Sequence, residues 1–272
     1  MQSKLKVAVL GATGYSGLEL TRILLRHPRV EKPALLRRPE SQNPHPVSQK
    51  ASDKGGATEV SESEVEIQRL LHPSRFSKGG NSESEQLNLA DIFPVLSGNG
   101  SYPLEPLSWR SLKEKGIELL FLATPHEVSR ELVPEAVANG IRVIDLSGAW
   151  RLKEAQHRAI YGFKDEDSLT AAQLTQKAIY GLPELNADKI PGAGIIANPG
   201  CYATTVILAL APLLKADLAD KSKGIIADSK SGVSGAGKEP TSRTHFVSVA
   251  DNLSAYGVFT HRHLGEIGRA HV

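Results

Sequence analysis

The chain has 272 residues, with 32 Lys and Arg against 30 Asp and Glu and a formal net charge of +2. That length allows a sizeable core and two domains, and the near balance of charge provides no general field to recruit nucleic acid or an anionic membrane surface. One Cys excludes an internal disulfide framework and fits a reducing compartment. No run of about eighteen uninterrupted apolar residues marks a membrane span, and no charged-then-apolar leader precedes the first apolar run. The expectation is a soluble cytoplasmic protein without metal, nucleic-acid or membrane partners.

Leu5 to Leu10 (LKVAVL) has strand length and the apolar content of a strand covered on both faces. Gly11-Ala12-Thr13-Gly14-Tyr15-Ser16-Gly17 follows at once, and then a helix-periodic stretch from Leu18 to Leu25. Strand, glycine turn and helix together predict a dinucleotide site. Glycine permits the tight turn and close approach of a pyrophosphate, and the helix N-terminus offers N–H groups and partial positive charge. The spacing is GxxGxxG rather than GxGxxG, so the flanking elements carry the reading. Residues 33–36 read as the second strand, ending on Arg37 and Arg38. An acidic residue at that place suits the ribose hydroxyl of NAD, whereas arginine suits the 2′-phosphate of NADP. Two arginines point to NADP, the alternative being a solvated surface pair.

From about residue 41 to 88 the chain is rich in Ser, Glu, Gln, Lys, Pro and Gly. Such a segment buries too little apolar surface to offset its ordering entropy and is expected to be a disordered insertion, with at most a short helix near residues 64–71. Order returns at Ile117 to Ala123, a buried strand closed by Thr124-Pro125-His126. A helix is expected over residues 128–139, capped by Gly140, and a strand over 142–146 ending in Ser147. This alternation predicts an α/β fold with a doubly wound parallel Rossmann-type sheet. Ligands in such sheets lie beyond the carboxyl ends of the strands.

Residues 195–214 read IIANPGCYATTVILALAPLL, an apolar run, a turn and a long helix. The lone Cys201 therefore sits at a strand-to-helix turn, where the helix N-terminus favours thiolate over thiol. Free Cys is also among the most often buried residues, so a packing role stands beside the reactive one. Further on, residues 224–228 and 246–249 read as strands, with a second glycine-rich loop, SGVSGAGK, at 231–238. His261 and His263 would share a face on a strand over 256–263, either as a surface pair or as partners of Cys201.

GATGYSG at 11–17, DLSGAWRL at 145–152, YGLPEL at 180–185, NPGCYAT at 198–204, SGVSGAGK at 231–238 and HRHLGEI at 261–267 resemble the N-acetyl-gamma-glutamyl-phosphate reductases of arginine biosynthesis. NPGCYAT separates that family from its relative, aspartate-semialdehyde dehydrogenase. The resemblance implies that Cys201 attacks an acyl phosphate to give a thioester that NADPH reduces to N-acetyl-glutamate semialdehyde. A histidine of the HRH motif would be the acid/base, His261 narrowly preferred over His263. Gly11, Thr13, Gly14, Tyr15, Ser16, Gly17 and Pro125 would hold the dinucleotide together with Arg37 and Arg38, with Gly235 and Gly237 near the nicotinamide. Ser147, Arg151, Asn198, Lys238 and Arg262 would bind the substrate.

Residues 1–198 would form the NADP-binding domain and 199–272 an incomplete α+β catalytic domain. The family continues beyond the HRH motif and assembles as homo-oligomers, and the tail from Glu266 to Val272 resembles a translated sequencing adapter, so a gene fragment of reduced activity is expected. The alternatives are a reductase of a carrier-linked aminoadipyl or glutamyl phosphate, and a non-catalytic NADP-binding module.

Overall fold

The structure, a computed structural model, describes residues 3–38, 87–97, 100–165, 167–258 and 260–267. In chain order its main elements are β1 (Val7–Leu10), α1 (Tyr15–Arg26), β2 (Ala34–Arg37), β3 (Leu104–Pro106), α2 (Trp109–Glu114), β4 (Leu119–Leu122), α3 (His126–Ala138), β5 (Arg142–Asp145), α4 (Ser168–Lys177), β6 (Ile179–Tyr180), β7 (Ile195–Ala197), α5 (Cys201–Lys215) and α6 (Leu264–Ile267). The strands form a seven-stranded sheet in the order β3-β2-β1-β4-β5-β7-β6. All its pairings are parallel. The order reverses direction between β1 and β4, as in a doubly wound sheet.

The apolar runs explain why the sheet is central. Alternate residues of a strand face opposite sides, and in β1 Ala8 and Leu10 join one core with Leu120, Leu122, Val133 and Trp150. Val7 and Val9 join a second core with Leu24, Leu35, Leu104 and Phe121. Both faces are therefore covered, and β1 and β4 are buried throughout. Beyond β5, a buried arginine fixes the chain. Arg130 of α3 donates to both carboxylate oxygens of Asp165 at 2.6 Å and to Ala149 O at 3.2 Å, and its guanidinium lies 4.0 Å from the Trp150 ring. This bidentate, stacked pairing pins residues 149–165 against α3.

Four expectations are corrected. Residues 224–228 lie outside the sheet, with Ile226 98% exposed. Phe246–Val249 is a short helical turn with Phe246 and Val247 each 78% exposed, and the described residues between 256 and 263 form no strand. Among the described residues no strand runs beside these stretches, and β-branched composition without a ladder partner does not make a strand. Finally, Leu87 and Asn88 do not belong with the polar insertion: Asn88 caps the helical turn Leu89–Ile92 through the Ala90 N–H. The rest of the expected insertion, with its short helix at 64–71, lies outside the described residues. No helix among the described residues is long and apolar enough to cross a membrane.

Candidate active site

The C-terminal end of β1 opens into the first glycine loop, and two of its glycines are fixed by close backbone approach. Gly11 has φ +94°, and a Cβ there would stand 2.3 Å from Ala123 O at the end of β4. At Gly17 a Cβ would stand 2.1 Å from Gly11 O, so only glycine lets α1 start this close to the strand. Gly14 meets nothing nearer than 3.6 Å, and no side chain caps α1 there. Thr13 is half-buried, whereas Tyr15 and Ser16 are exposed at the first turn of α1. A bare helix N-terminus beside an open glycine is the arrangement that receives a pyrophosphate. Arg37 closes β2, and Arg38 donates to Glu131 of α3 at 2.7 Å. Pro125 precedes α3 at the end of β4.

The second centre is built around the bend between β7 and α5. The Asn198 N–H donates to Asp145 O at 2.8 Å, which lays the bend on the end of β5. Burial pushes the Asp145 carboxyl above the usual carboxylate range, and donors from Ser147 oppose that shift. Arg151 reaches the same bend, its Nε donating to Asn198 O at 2.7 Å and its Nη2 to Leu146 O at 2.9 Å. Its Nη1 donates to Glu266 Oε2 at 3.2 Å. Glu266 is wholly buried, and its Oε1 accepts from Tyr180 Oη at 2.7 Å and from the Gly200 N–H at 2.9 Å. Burial and this carboxylate raise the Tyr180 pKa, so the phenol stays a donor.

Cys201 follows Gly200 as the first residue of α5 and is exposed. The His263 ring is packed against the preceding turn, its Nε2 2.5 Å from where a Gly200 Cβ would stand. Burial, the largest cause, together with Arg151, His261 and Arg262 lowers the His263 pKa to about 4, against an opposing pull from Glu266. His261 is lowered by burial and by Arg262. Its Nδ1 accepts the His263 N–H at 3.1 Å, and the two rings lie 4.8 Å apart. Tyr202 Oη donates to Ser231 Oγ at 2.7 Å and lies 2.8 Å from Tyr256 Oη. The Tyr202 ring is 5.3 Å from His261.

A glycine loop at the end of β1 and a cysteine-bearing turn at the end of β7 of one parallel sheet invite comparison with known proteins. The semialdehyde dehydrogenase NAD binding domain matches residues 6–78 and 66–193, and the semialdehyde dehydrogenase dimerisation domain matches residues 201–271. The chain belongs to the semialdehyde dehydrogenase family. The match to the NAD binding domain makes its cofactor a nicotinamide dinucleotide.

Among curated members, the N-acetyl-gamma-glutamyl-phosphate reductase of Methanosphaera stadtmanae is 38% identical over 266 residues, covering 97% of this chain and 61% of its own length. That of Halalkalibacterium halodurans is 36% identical over 263 residues, covering 97% of this chain and 62% of its own length. The chain thus spans about three fifths of these relatives. Among solved structures, aspartate semialdehyde dehydrogenase II from Vibrio cholerae is 18% identical, with a TM-score of 0.42 over 79% of this chain and 43% of that one.

Within this family member, the structure gathers Cys201, His261, His263, Asn198 and Arg151 at one bend. Ser147 sits beside it, its Oγ donating to Asp145 at 2.7 Å. The Arg151 guanidinium is engaged with Asn198 O, Leu146 O and Glu266, all within the protein. Arg262 is exposed, 5.9 Å from the Tyr161 ring. Gly235, Gly237 and Lys238 lie in an exposed loop that reaches the bend through the Tyr202–Ser231 hydrogen bond. Sequence reasoning missed Tyr180, Tyr202, Ser231, Tyr256 and Glu266. For Glu266 a signal existed: it lies three residues after His263, and on a helical turn such residues share a face. Glu266, the first residue of the adapter-like tail, is buried and makes three hydrogen bonds.

Proposed function

We propose that this chain is the nucleotide-binding and nucleophile-bearing part of an NADPH-dependent acyl-phosphate reductase. Its reaction converts N-acetyl-L-glutamyl 5-phosphate to N-acetyl-L-glutamate 5-semialdehyde and phosphate. The observation that carries this reading is Cys201 at the N-terminus of α5, with two imidazoles returned to the same turn by distant sequence. The curated relatives' shared name supports the substrate. Arg37 and Arg38 at the end of β2 support NADP over NAD. The match of residues 201–271 to a dimerisation domain supports a domain boundary near residue 198 and a homo-oligomer, and a single Cys in the chain fits a reducing compartment such as the cytoplasm.

Each protein group has a task in this reaction. Cys201 Sγ, exposed at a helix N-terminus, attacks the acyl carbon, and phosphate leaves with the bonding electron pair, giving a thioester. The first-turn N–H groups of α5, at the positive end of that helix, stabilise the charge that the carbonyl oxygen gains. NADPH, when bound, supplies the hydride that the thioester carbonyl accepts. A histidine then protonates the resulting alkoxide on Cys201 and takes the proton back as the thiolate departs with the semialdehyde formed. We assign that role to His263 rather than to His261. The His263 ring abuts Gly200, and its buried Nδ1 has no hydrogen-bond partner, whereas His261 Nδ1 is engaged by the His263 N–H.

The test is phosphate-dependent reduction of NADP by N-acetyl-glutamate semialdehyde, the reverse reaction. It is run on this chain, on Cys201→Ser, and on a version extended with the C-terminal part of the M. stadtmanae relative. Turnover by the extended protein that disappears with Cys201→Ser is expected. An extended protein that binds NADPH yet shows no phosphate-dependent turnover overturns the reading in favour of another acyl phosphate or a non-catalytic module.

A further inference from the structure

The peptide bend leading into Cys201 is held from both sides. Arg151 Nε takes the carbonyl of Asn198 at 2.7 Å, and Glu266 Oε1 takes the N–H of Gly200 at 2.9 Å. The two side chains are joined to each other at 3.2 Å, so one buried ion pair grips the chain at 198 and 200. These residues come from distant parts of the sequence, and nothing local to NPGC requires them. Glu266 is wholly buried, and Tyr180 Oη supplies a further donor to the same oxygen that holds Gly200.

Gly200 is part of the device. A Cβ there would overlap His263 Nε2 at 2.5 Å and Arg151 Nη1 at 2.9 Å, so the glycine is what lets both reach the bend. A buried carboxylate is a costly way to hold one amide, since desolvating two charges offsets most of their attraction. Its charge has a second use at this place. Glu266 favours the protonated form of the adjacent His263, the form that must exist briefly if that ring carries a proton during turnover.

We propose that Glu266, acting through Gly200 and together with Arg151, is a positioning residue that sets the placement of Cys201 at the start of α5. The inference rests on Cys201 being the nucleophile. It does not depend on which acyl phosphate is the substrate.

The experiment uses the chain's single thiol, alkylating Cys201 with iodoacetamide as a function of pH in the parent and in Glu266→Gln, with circular dichroism as the control for folding. The glutamine keeps the shape and removes the charge. If Glu266 acted only as a nearby negative charge, its loss would favour the thiolate and speed alkylation. If it positions the turn, Cys201 drifts from the helix N-terminus and alkylation at neutral pH slows about tenfold, the scale of losing a helix-dipole contact. An unchanged or faster rate in a folded variant overturns the proposal.

Removing one partner of a buried pair can prevent folding. In that event amide hydrogen exchange on the parent decides. A Gly200 N–H protected far beyond the amides of residues 231–238 is expected, and exchange as fast as theirs overturns the proposal. Neither readout uses an acyl substrate or NADPH, so failure of the reductase assay and failure of this inference are separate results.

Discussion

The two glycine-rich loops look alike in sequence and differ in what holds them. In the loop at 11–17, Gly11 and Gly17 are required by backbone atoms 2.3 and 2.1 Å from where a Cβ would be. In the loop at 231–238, a Cβ at Gly235 would meet nothing nearer than Ser231 Oγ at 4.0 Å, and one at Gly237 nothing within 4 Å. The first loop is fixed because it is squeezed between the ends of β1 and β4 and the start of α1. The second is exposed and has no such neighbours among the described residues. Glycine spacing alone does not say whether the residue is demanded by packing or simply leaves the backbone free.

Substitutions sharpen that contrast. Gly17→Ala forces a Cβ into Gly11 O, a backbone atom that cannot swing away, and should cost about 3 kcal/mol in urea unfolding. A loss under about 1 kcal/mol would show that the loop relaxes easily. Gly200→Ala meets the tips of His263 and Arg151, which can move, so a smaller loss of about 1–2 kcal/mol is expected. Retention of full stability there would mean that His263 is not held against the bend.

A pH series tests the same packing. The folded pKa of His263, lowered to about 4, lies below its ordinary value near 6.5. The unfolded chain therefore binds more protons between these values, and stability is lost as pH falls from about 6.5 toward about 4. His261 and His126 are shifted in the same direction, so the comparison of the parent with His263→Asn isolates one residue. The variant should show a shallower decline over that window, and parallel curves would remove His263 from the buried cluster. The smallest effect is expected at Gly235→Ala, within about 0.5 kcal/mol of the parent. A loss comparable to that of Gly17→Ala would mean that the second loop is as tightly held as the first.

The nucleotide half of the site was legible because each signal was local. LKVAVL, the glycine turn and the periodic helix are contiguous, and so are IIA, NPG and the helix beginning at Cys201. The strands expected at 224–228 and 246–249 were misread because apolar, β-branched composition does not supply a ladder partner. The stretch from 89 to 114 was passed over, since β3 has only three residues and α2 six, too short for periodicity to register.

By itself the sequence determined the parallel core, the glycine turn at the end of β1 and the position of Cys201 at a helix start, because these follow from hydrophobic period and turn chemistry within a few residues. Only the tertiary structure decided that Arg151, Tyr180, His263 and Glu266 converge on Gly200. Their separations from Gly200 run from 20 residues for Tyr180 to 66 for Glu266. Hydrogen bonds and buried charge pairs select partners by position in space, and no local pattern in the chain records that choice.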